Sequence, residues 1–467
     1  MRRISLWPVA AVVILLALKV ALIDRVDTPL RRANLVDGRL RSVDVPAEIT
    51  FGDEFTLLGY DSLPESVPSG EWLEIQTYWR ALQPGGPDYG VTIDVVDEQG
   101  YRWNGAEIRP SRWHRAPPPV WEWPPDRYAI VALSVPLLPG TPPGDYTIEL
   151  VAFDRDTLAP LTAHDAGGRA LGPSLPLGQI AVAAPRRPAN SDELGIRNRL
   201  DAPLGPLLLL GADFDRDAAA PGDPVLLTTF WRAGGAGERR SRGAEEQDIA
   251  AHLILQAPDG ATVAEYDLPP GAFWHPGDVW RGQRLFYLPA ALETAVYTWT
   301  LSLFPHPPVP LSHISITAPN RTFTPPPVDA NRSDWIEIDA RLGNVATLLG
   351  VTCEPANLQP GTFLTVTLVW RAEAETHTSY NVFLHLTGPD GALAAQSDGV
   401  PANWSRPTTG WLPGEFVVDT HTLTLPDDLP AGEYTILAGL YAPGGERIAA
   451  SDDQNVVHII TITVQDH

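Results

Sequence analysis

The side chains that could carry chemistry in this sequence are scattered rather than grouped at the spacing of a known motif. No glycine-rich phosphate loop runs from a strand into a helix, and the GxSxG and HExxH patterns are absent. Several histidines lack the close-spaced partner of a metal site, and we interpret them as surface or turn residues: His114, His275, His306, His385 and His421. The sequence therefore predicts no metal site and no cofactor.

Two single residues and the net charge exclude further classes of protein. Lys19 is the only lysine, so lysine-based covalent catalysis is nearly excluded beyond the first segment. Cys353 is the only cysteine, which excludes an internal disulfide framework and a cysteine-based zinc site. The net charge of -24 repels phosphate backbones, so we expect no nucleic-acid partner.

The acidic residues leave one catalytic alternative open. Glycosidases use a pair of carboxylates that lie far apart in sequence, so such a pair can hide among 57 acidic residues. Many of these acids stand at turns, where hydrogen bonds to the local backbone account for them: Asp259, Asp390, Asp427 and Asp428. We therefore predict a non-catalytic protein with no catalytic residues, and keep an enzyme acting on glycans as the minor alternative.

One loop-rich stretch combines tryptophan and arginine and is a candidate binding surface. Exposed aromatic faces stack on sugar rings or enter pockets of a partner, and arginine supplies planar hydrogen-bond donors. The candidate residues are Trp103, Arg112, Trp113, Trp121 and Trp123, with Trp404 as a smaller candidate further along the chain. The alternative interpretation is that these rings fold over an open end of the domain, with arginines stacked on them.

The elements that position these side chains belong to an internal repeat. In each of three copies a Leu-Gly pair precedes a Trp-Arg-Ala sequence, and the Gly stands 20 residues before the Trp. The pairs are Gly59 and Trp79, Gly211 and Trp231, and Gly350 and Trp370. Each copy ends in a strand centred on tyrosine: Tyr146, Tyr297 and Tyr434. One unit therefore occurs three times after about residue 45.

The hydrophobic pattern inside each copy is that of a half-buried strand. Before the first Trp, for example, Leu73, Ile75, Thr77 and Trp79 alternate with more polar positions. The 48 prolines and 39 glycines disfavour long helices and mark turns between strands. We predict an all-β protein of three tandem antiparallel immunoglobulin-like β-sandwiches, each with its Trp buried on a central strand.

Changes in composition give the boundaries of the units. Proline-rich stretches at 184–191 and 324–331 are interpreted as linkers, and the charged, glycine-rich insert at 234–246 as a mobile loop. The predicted organisation is a membrane anchor or signal segment at 1–24, followed by sandwiches at 45–184, 198–319 and 336–467.

The amino terminus predicts a membrane segment. Residues 4–23 form a 20-residue apolar stretch after Arg2 and Arg3, which is long enough to cross a bilayer as a helix. Because the apolar region is long and Lys19 interrupts the one weak cleavage candidate, we favour an uncleaved anchor over a cleaved signal peptide. Both alternatives export the remainder, so we predict a single-pass protein of the cytoplasmic membrane with its bulk on the extracytoplasmic side.

The third copy carries residues that resemble a known family. The segments 360–372, 389–391, 411–415 and 429–434 resemble the β-sandwich modules of Chloroflexota envelope proteins, which are often appended to multi-spanning glycosyltransferase-like membrane proteins. The second copy matches in part, and the first departs at the WxPG[DE] turn. The resemblance implies an extracytoplasmic, non-catalytic accessory module and brings no catalytic residues. A weaker similarity is to the glycan-binding sandwiches of O-antigen export proteins.

These observations together predict a membrane-anchored extracytoplasmic array that serves as a structural or protein-interaction element. The alternative is a cell-envelope accessory protein that binds glycans through the tryptophan and arginine residues. The expected partners are the membrane, through the amino-terminal helix, and an envelope protein or glycan.

Overall fold

The computed structural model describes a chain built from short antiparallel strands. The described residues are Val12, Leu15, 35–36, 39–40, 43–52, 54–82, 88–105, 109–110, Val120, Trp123, 128–234, 251–268, 275–326, 335–355, 358–450 and 454–464. Within them the bounded elements are 30 strands and one 3-10 turn at Thr408–Gly410. The all-β class predicted from the sequence is confirmed.

The predicted membrane helix falls on residues that the structure leaves almost entirely undescribed. Of residues 1–24, only Val12 and Leu15 are described. Among the described residues of the chain, no helix has the length and apolar character needed to cross a membrane. The anchor therefore stays a prediction, and the insert at 234–246 lies outside the described residues after its first position.

The first β-region, residues 45–183, contains two sheets and follows a short hairpin. The hairpin is β1 (Leu35–Val36) and β2 (Arg39–Leu40). The strands of the region are β3 (Val45–Phe51), β4 (Phe55–Tyr60), β5 (Ser66–Pro68), β6 (Trp72–Ala81), β7 (Tyr89–Val96), β8 (Arg109–Pro110), β9 (Ala129–Pro136), β10 (Gly144–Asp154), β11 (Ala163–His164), β12 (Ala170–Gly172) and β13 (Leu175–Ala183). The sheet orders are β12-β11-β3-β4-β6-β9-β8 and β5-β13-β10-β7.

The second β-region, residues 199–316, repeats the same plan with fewer strands. They are β14 (Arg199–Leu204), β15 (Leu207–Phe214), β16 (Ala218–Ala219), β17 (Pro224–Ala233), β18 (Ala251–Gln256), β19 (Thr262–Leu268), β20 (Val279–Tyr287), β21 (Ala295–Leu303) and β22 (Val309–Ile316). The sheet orders are β14-β15-β17-β20 and β16-β22-β21-β18-β19.

The third β-region, residues 335–464, completes the series. Its strands are β23 (Trp335–Leu342), β24 (Ala346–Glu354), β25 (Phe363–Ala372), β26 (Asn381–Thr387), β27 (Leu393–Gly399), β28 (Phe416–Thr424), β29 (Gly432–Tyr441) and β30 (Val457–Val464). The sheet orders are β23-β24-β25-β28 and β27-β26-β29-β30. In each β-region one large hydrophobic core draws side chains from both sheets and from that region alone.

The repeated Trp lies at the same place in each β-region. Trp79, Trp231 and Trp370 are buried near the ends of β6, β17 and β25, which are 10 residues long in all three cases. Each of these strands is central in its sheet, because partners pair on both sides. The structural role predicted for the three tryptophans is confirmed, and large buried rings of this kind dominate core energetics.

The repeated Gly marks a β-bulge where two strands approach closely. The pairing register shifts between Leu57 and Gly59, and the same shift occurs at Gly211 and Gly350. A Cβ added at Gly211 would lie 2.5 Å from the carbonyl oxygen of Asn198, and one added at Gly350 would lie 2.5 Å from that of Ile336. Only glycine permits this approach, which explains why the Leu-Gly pair recurs.

The repeated Tyr closes each β-region with a hydrogen bond to the backbone four residues earlier. The hydroxyls of Tyr146, Tyr297 and Tyr434 donate to the carbonyl oxygens of Pro142, Glu293 and Pro430, at 2.8, 3.2 and 2.9 Å. A tyrosine that bonds back to the upstream backbone is a hallmark of immunoglobulin-like sandwiches, where it is called a tyrosine corner.

A half-buried arginine joins the first β-region to the second. The backbone N–H of Arg281 donates to the carbonyl oxygen of Gly140 at 2.7 Å, and its guanidinium donates to that of Leu194 at 2.8 Å. The guanidinium also lies 4.8 Å from the ring centroid of Phe230. Leu194, three residues after the predicted linker at 184–191, is buried in a small apolar cluster with Phe230, and Ala189 of the linker packs against the same cluster.

A second arginine joins the second β-region to the third. The guanidinium of Arg321 lies 2.5 Å from the fully buried carboxylate of Glu415 and donates to the carbonyl oxygens of Ala290 and Gly410. The backbones meet as well, because a Cβ added at Gly222 would lie 2.2 Å from Gly410. Both junctions are therefore formed by buried polar contacts and by close backbone approach.

Candidate binding sites

The structure describes only part of the predicted tryptophan and arginine surface. Arg112, Trp113 and Trp121 lie outside the described residues. Trp103 and Trp123 are 4% and 3% exposed and belong to the core of the first β-region. These two rings therefore offer no exposed stacking face in this structure, and the binding role of the whole set stays a prediction.

The contacts of the two buried rings explain their position. The indole N–H of Trp103 donates to the Asp97 carboxylate at 2.8 Å, and its ring packs edge-on against Tyr146 at 6.1 Å between centroids. Trp123 packs edge-on against Phe55 at 6.4 Å. Such edge-to-face pairs stabilise cores beyond the area that they bury. For these two residues, the alternative in which aromatic rings close the sandwich describes the observed packing.

A cleft of about 540 Å³ lies between the first and second β-regions, beside the Arg281 junction. Its first wall includes Glu98, Tyr101 and Asp145, and its second includes Trp280 and Arg284. Clefts of 300–1,000 Å³ between domains are the usual place for small ligands. Aromatic rings and charges of both signs line the cleft, so its chemistry suits a polar ligand with flat faces.

Hydrogen bonds across this cleft hold its two walls together. The backbone N–H of Leu285 donates to the hydroxyl of Tyr101 at 2.9 Å, and the side-chain amide of Gln283 donates to the carbonyl oxygen of Arg102 at 2.9 Å. Burial lowers the pKa of Arg281 to about 10 and raises the pKa of Tyr146 above its ordinary value. Arg281 thus remains a cation at neutral pH, in contact with carbonyl oxygens and the Phe230 ring.

Among the predicted site residues that the structure describes, only Trp404 has a ring that is open to solvent. It is 68% exposed and stands in the connection between β27 and β28. A Cβ added at Gly399 would lie 3.0–3.1 Å from three atoms of the Trp404 ring, so the indole packs on the backbone of Gly399. Gly399 thus supports the ring while most of its surface stays open to solvent.

The backbone under Trp404 has an unusual conformation. Ala402, Asn403 and Trp404 have φ values of 55°, 53° and 65°, which places three consecutive residues other than glycine in the left-handed region. Each such residue costs of order 1–3 kcal/mol unless its surroundings hold it there. Segments of this kind concentrate at functional sites, where the surrounding structure determines the geometry.

A buried carboxylate holds this turn. Asp419 on β28 is fully buried and accepts the backbone N–H of Ala402 at 2.7 Å. The same carboxylate accepts the indole N–H of Trp370 at 3.3 Å and lies 2.9 Å from Nε2 of His421. The exposed Trp404 turn is therefore tied directly to the buried Trp of the repeat.

His421 extends this network to the opposite sheet. Its Nδ1 lies 2.9 Å from the hydroxyl of Ser397 on β27, while its Nε2 faces Asp419. A histidine between a serine hydroxyl and a carboxylate has the partners of a catalytic triad, but the ring nitrogens are exchanged here, since Nδ1 faces the serine and Nε2 faces the carboxylate. Here the three side chains connect the edge strands β27 and β28, so the same contacts also join the two sheets.

This network could not be predicted from the sequence, because its members are distant in sequence and match no motif. His421 was interpreted as a surface or turn residue, but it lies on β28 and is 8% exposed. One signal was present: Thr77 and Thr229 precede the repeated Trp by two residues, whereas Leu368 does so in the third copy. The missing hydroxyl indicates that Trp370 needs an acceptor from another strand.

The turn interpretation of the acidic residues is confirmed at the described positions with local bonds. Asp259 accepts the backbone N–H of Ala261 at 3.0 Å, and Asp390 accepts that of Ala392 at 3.0 Å. Within the described part of the chain, no group of three or more His, Cys, Asp or Glu side chains is arranged to hold a metal ion.

Comparisons with known proteins add no family. No protein-family model matches the chain, and no curated protein matches it. Among solved structures, a Corynebacterium diphtheriae protein described as membrane-anchored is 12% identical, with 88% of this chain and 92% of that chain covered and a TM-score of 0.16. The Yersinia pseudotuberculosis adhesin InvE is 8% identical, with 55% and 59% covered and a TM-score of 0.17. At such TM-scores neither match supports an argument about fold or function.

Proposed function

We propose that this protein is a non-catalytic, membrane-anchored array of three immunoglobulin-like sandwiches that acts outside the cytoplasm as a structural or protein-interaction element. The two inter-region junctions are the observation that carries the proposal. At the first, Arg281 of the second region donates to carbonyl oxygens of the first region and of Leu194; at the second, Arg321 donates to carbonyl oxygens of both neighbours and meets the buried Glu415. Neighbouring domains otherwise move relative to each other, so these contacts support a spacer or scaffold of restricted flexibility.

The division into sandwiches is part of this proposal. The proposed units are 45–184, 198–319 and 336–467, behind an anchor within 1–24. The separate cores, the repeated Trp strands and the three tyrosine bonds support it. A net charge of -24 keeps such an array soluble and separate from nucleic acid.

Fractionation of cells that express the full chain tests the location. We expect the protein in the membrane fraction, extracted by detergent but retained in high salt, and cleaved by protease added outside intact spheroplasts. Recovery from the cytosol, or protection from external protease, would contradict the proposed topology. A pull-down from solubilised membranes then identifies whether an envelope protein is bound.

The triad-like set in the third region provides a direct test of the non-catalytic part. In a serine hydrolase the Ser397 hydroxyl would react with a fluorophosphonate, because the histidine would accept its proton. We expect no labelling of Ser397 in the full chain, and the same result for Ser397→Ala. Labelling that disappears in Ser397→Ala and His421→Ala would make the third region an esterase-like enzyme.

A second candidate function, an accessory protein that binds envelope glycans, is favoured by the cleft between the first and second regions. The walls offer the Tyr101 ring together with Glu98 and Arg284, which are groups that hold a sugar by stacking and hydrogen bonds. Saturation-transfer NMR with neutral oligosaccharides tests this function. We expect weaker saturation transfer in Arg284→Ala and an unchanged signal in the surface control Arg169→Ala.

A further inference from the structure

We infer that the Trp404 turn of the third β-region is a separate binding platform for a neutral sugar ring. This site lies at the edge between β27 and β28, whereas the cleft lies between the first two regions. The inference therefore goes beyond the proposed array and does not depend on the cleft.

The Trp404 ring is exposed and held in place. Trp404 is 68% exposed, and its indole packs on Gly399. Backbone bonds fix the turn: the N–H of Trp404 donates to the carbonyl oxygen of Val400 at 3.0 Å, and the N–H of Arg406 donates to that of Pro401 at 3.0 Å. A ring that is already in position loses little entropy on binding.

The support of the Trp404 turn continues into the core of the third β-region. Asp419 accepts the N–H of Ala402 and also contacts Trp370 and His421, so the left-handed segment is fixed by a fully buried carboxylate. Three residues with positive φ raise the free energy of this connection between two edge strands. Their effect is to present one indole at the surface, and a recognition role accounts for that.

The exposed hydrophobic surface of this segment indicates the size of the ligand. Between residues 396 and 415, all of which are described, Trp404 is the only large hydrophobic side chain that is exposed. A stable protein interface needs about 800 Å² on each partner with an apolar centre of several residues. A single indole, with the exposed polar residues Asn403 and Ser405 next to it in the chain, instead matches one flat ligand ring with hydroxyl groups.

The charged groups of the protein indicate the charge of the ligand. The nearest arginine in the turn, Arg406, is paired with the buried Glu415 at 2.5 Å and is therefore engaged. The chain as a whole has a net charge of -24. An acidic ligand would be repelled, whereas the C–H face of a neutral pyranose meets the negative face of the indole favourably.

Saturation-transfer NMR on the full chain tests the inference, with maltohexaose, cellohexaose and mannohexaose as neutral probes and heparin as the anionic probe. We expect saturation of the ring protons of at least one neutral probe and no response with heparin. Trp404→Ala should reduce that signal about tenfold or more, as truncating a central tryptophan does, and Trp404→Phe should retain part of it. Trp72→Ala, which removes a partly exposed tryptophan of the first region, is the matched control and should bind as the unmodified chain does.

The outcomes separate this inference from the proposals above. Binding that is lost in Trp404→Ala but kept in Arg284→Ala supports the platform and leaves the cleft without support. Binding that is unchanged in Trp404→Ala overturns the platform, and so does the absence of any response to the three neutral probes. An envelope protein that is captured by the unmodified chain and lost with Trp404→Ala, with no sugar signal, would assign the ring to a protein interface and overturn the sugar class.

Discussion

At the scale of single residues, the buried indole N–H groups of three similar cores find their hydrogen-bond acceptors in two ways. Trp79 and Trp231 donate to the hydroxyls of Thr77 and Thr229, both at 2.8 Å. Trp370 donates instead to Asp419. A buried donor without an acceptor costs about 1–3 kcal/mol, so each solution stabilises its own region.

Thr229→Val tests this account because it keeps the shape of the side chain and removes the acceptor. We expect the free energy of unfolding of the second region to fall by about 1–3 kcal/mol, since the Trp231 N–H is left unpaired. Hydrogen exchange of the β17 peptides, read by mass spectrometry, measures the change within the full chain. Thr228→Val on the opposite face is the control, and equal effects of the two variants would contradict the account.

A pH-dependent contact is expected in the first linker. The hydrogen bond from Arg187 and the backbone N–H of Asn190 lower the pKa of Glu193 to about 2. Because the pKa is lowered in the folded state, the stabilising contribution is complete above the ordinary value near 4.5 and is lost as the pH falls towards 2.

Hydrogen exchange of residues 187–195 between pH 5 and pH 2 measures this loss. After correction for intrinsic exchange rates, we expect protection to decrease over that interval in the unmodified chain. Glu193→Gln should show the lower protection already at pH 5 and little further change. A pH profile identical in both chains would show that the Arg187 contact does not hold the linker.

At the scale of elements, the bulge glycine fixes the pairing of the first two strands in every region. Gly350→Ala would place a Cβ 2.3 Å from a ring carbon of Trp335 and 2.5 Å from the Ile336 carbonyl oxygen. We expect β23 to separate from β24, with a loss of about 1–3 kcal/mol typical of overpacking. Hydrogen exchange of β23 measures it. Gly444→Ala, where nothing lies within 4 Å, is the control and should leave β23 protected.

Much of this element-level structure was predictable, and the reason is local. The alternation in β6, β17 and β25 reports which face is buried, and fixed spacing between Gly and Trp reports that the same hairpin occurs three times. The network of Ser397, Asp419 and His421 was not predictable, because its geometry depends on how two sheet edges meet. Likewise, Trp103 was indistinguishable from an exposed ring until its core contacts were known.

At the scale of the whole molecule, the junction arginines determine how the regions are arranged. Neither Arg281 nor Arg321 belongs to a sequence pattern, since their acceptors lie on neighbouring regions up to 142 residues away. Proline-rich composition predicted only the linkers at 184–191 and 324–331. The structure adds partly buried hydrogen bonds that join the regions on both sides of each junction.

Arg321→Ala tests the second junction. We expect the third region to keep its fold, because Arg406 still neutralises the buried Glu415. The orientation between the second and third regions should become variable, since the bonds to Ala290 and Gly410 are lost. Small-angle scattering of residues 25–467 should then show a broader distribution of interatomic distances. Arg169→Ala, which removes an exposed pair with Asp165, should leave the scattering unchanged.

The different acceptors of the buried indoles also imply a penalty for the exchange of strands between regions during folding. Neighbouring units with near-identical strands are prone to exchange them while folding. The position that faces Leu368 is Asp419 in the third region, and the corresponding position, opposite Thr229 in the second, is Gly282. If β25 took the place of β17 beside β20, Leu368 would face Gly282 and the indole N–H of Trp370 would find no carboxylate. The exchanged strand would be penalised at a fully buried residue, so the third copy is distinguished from the other two.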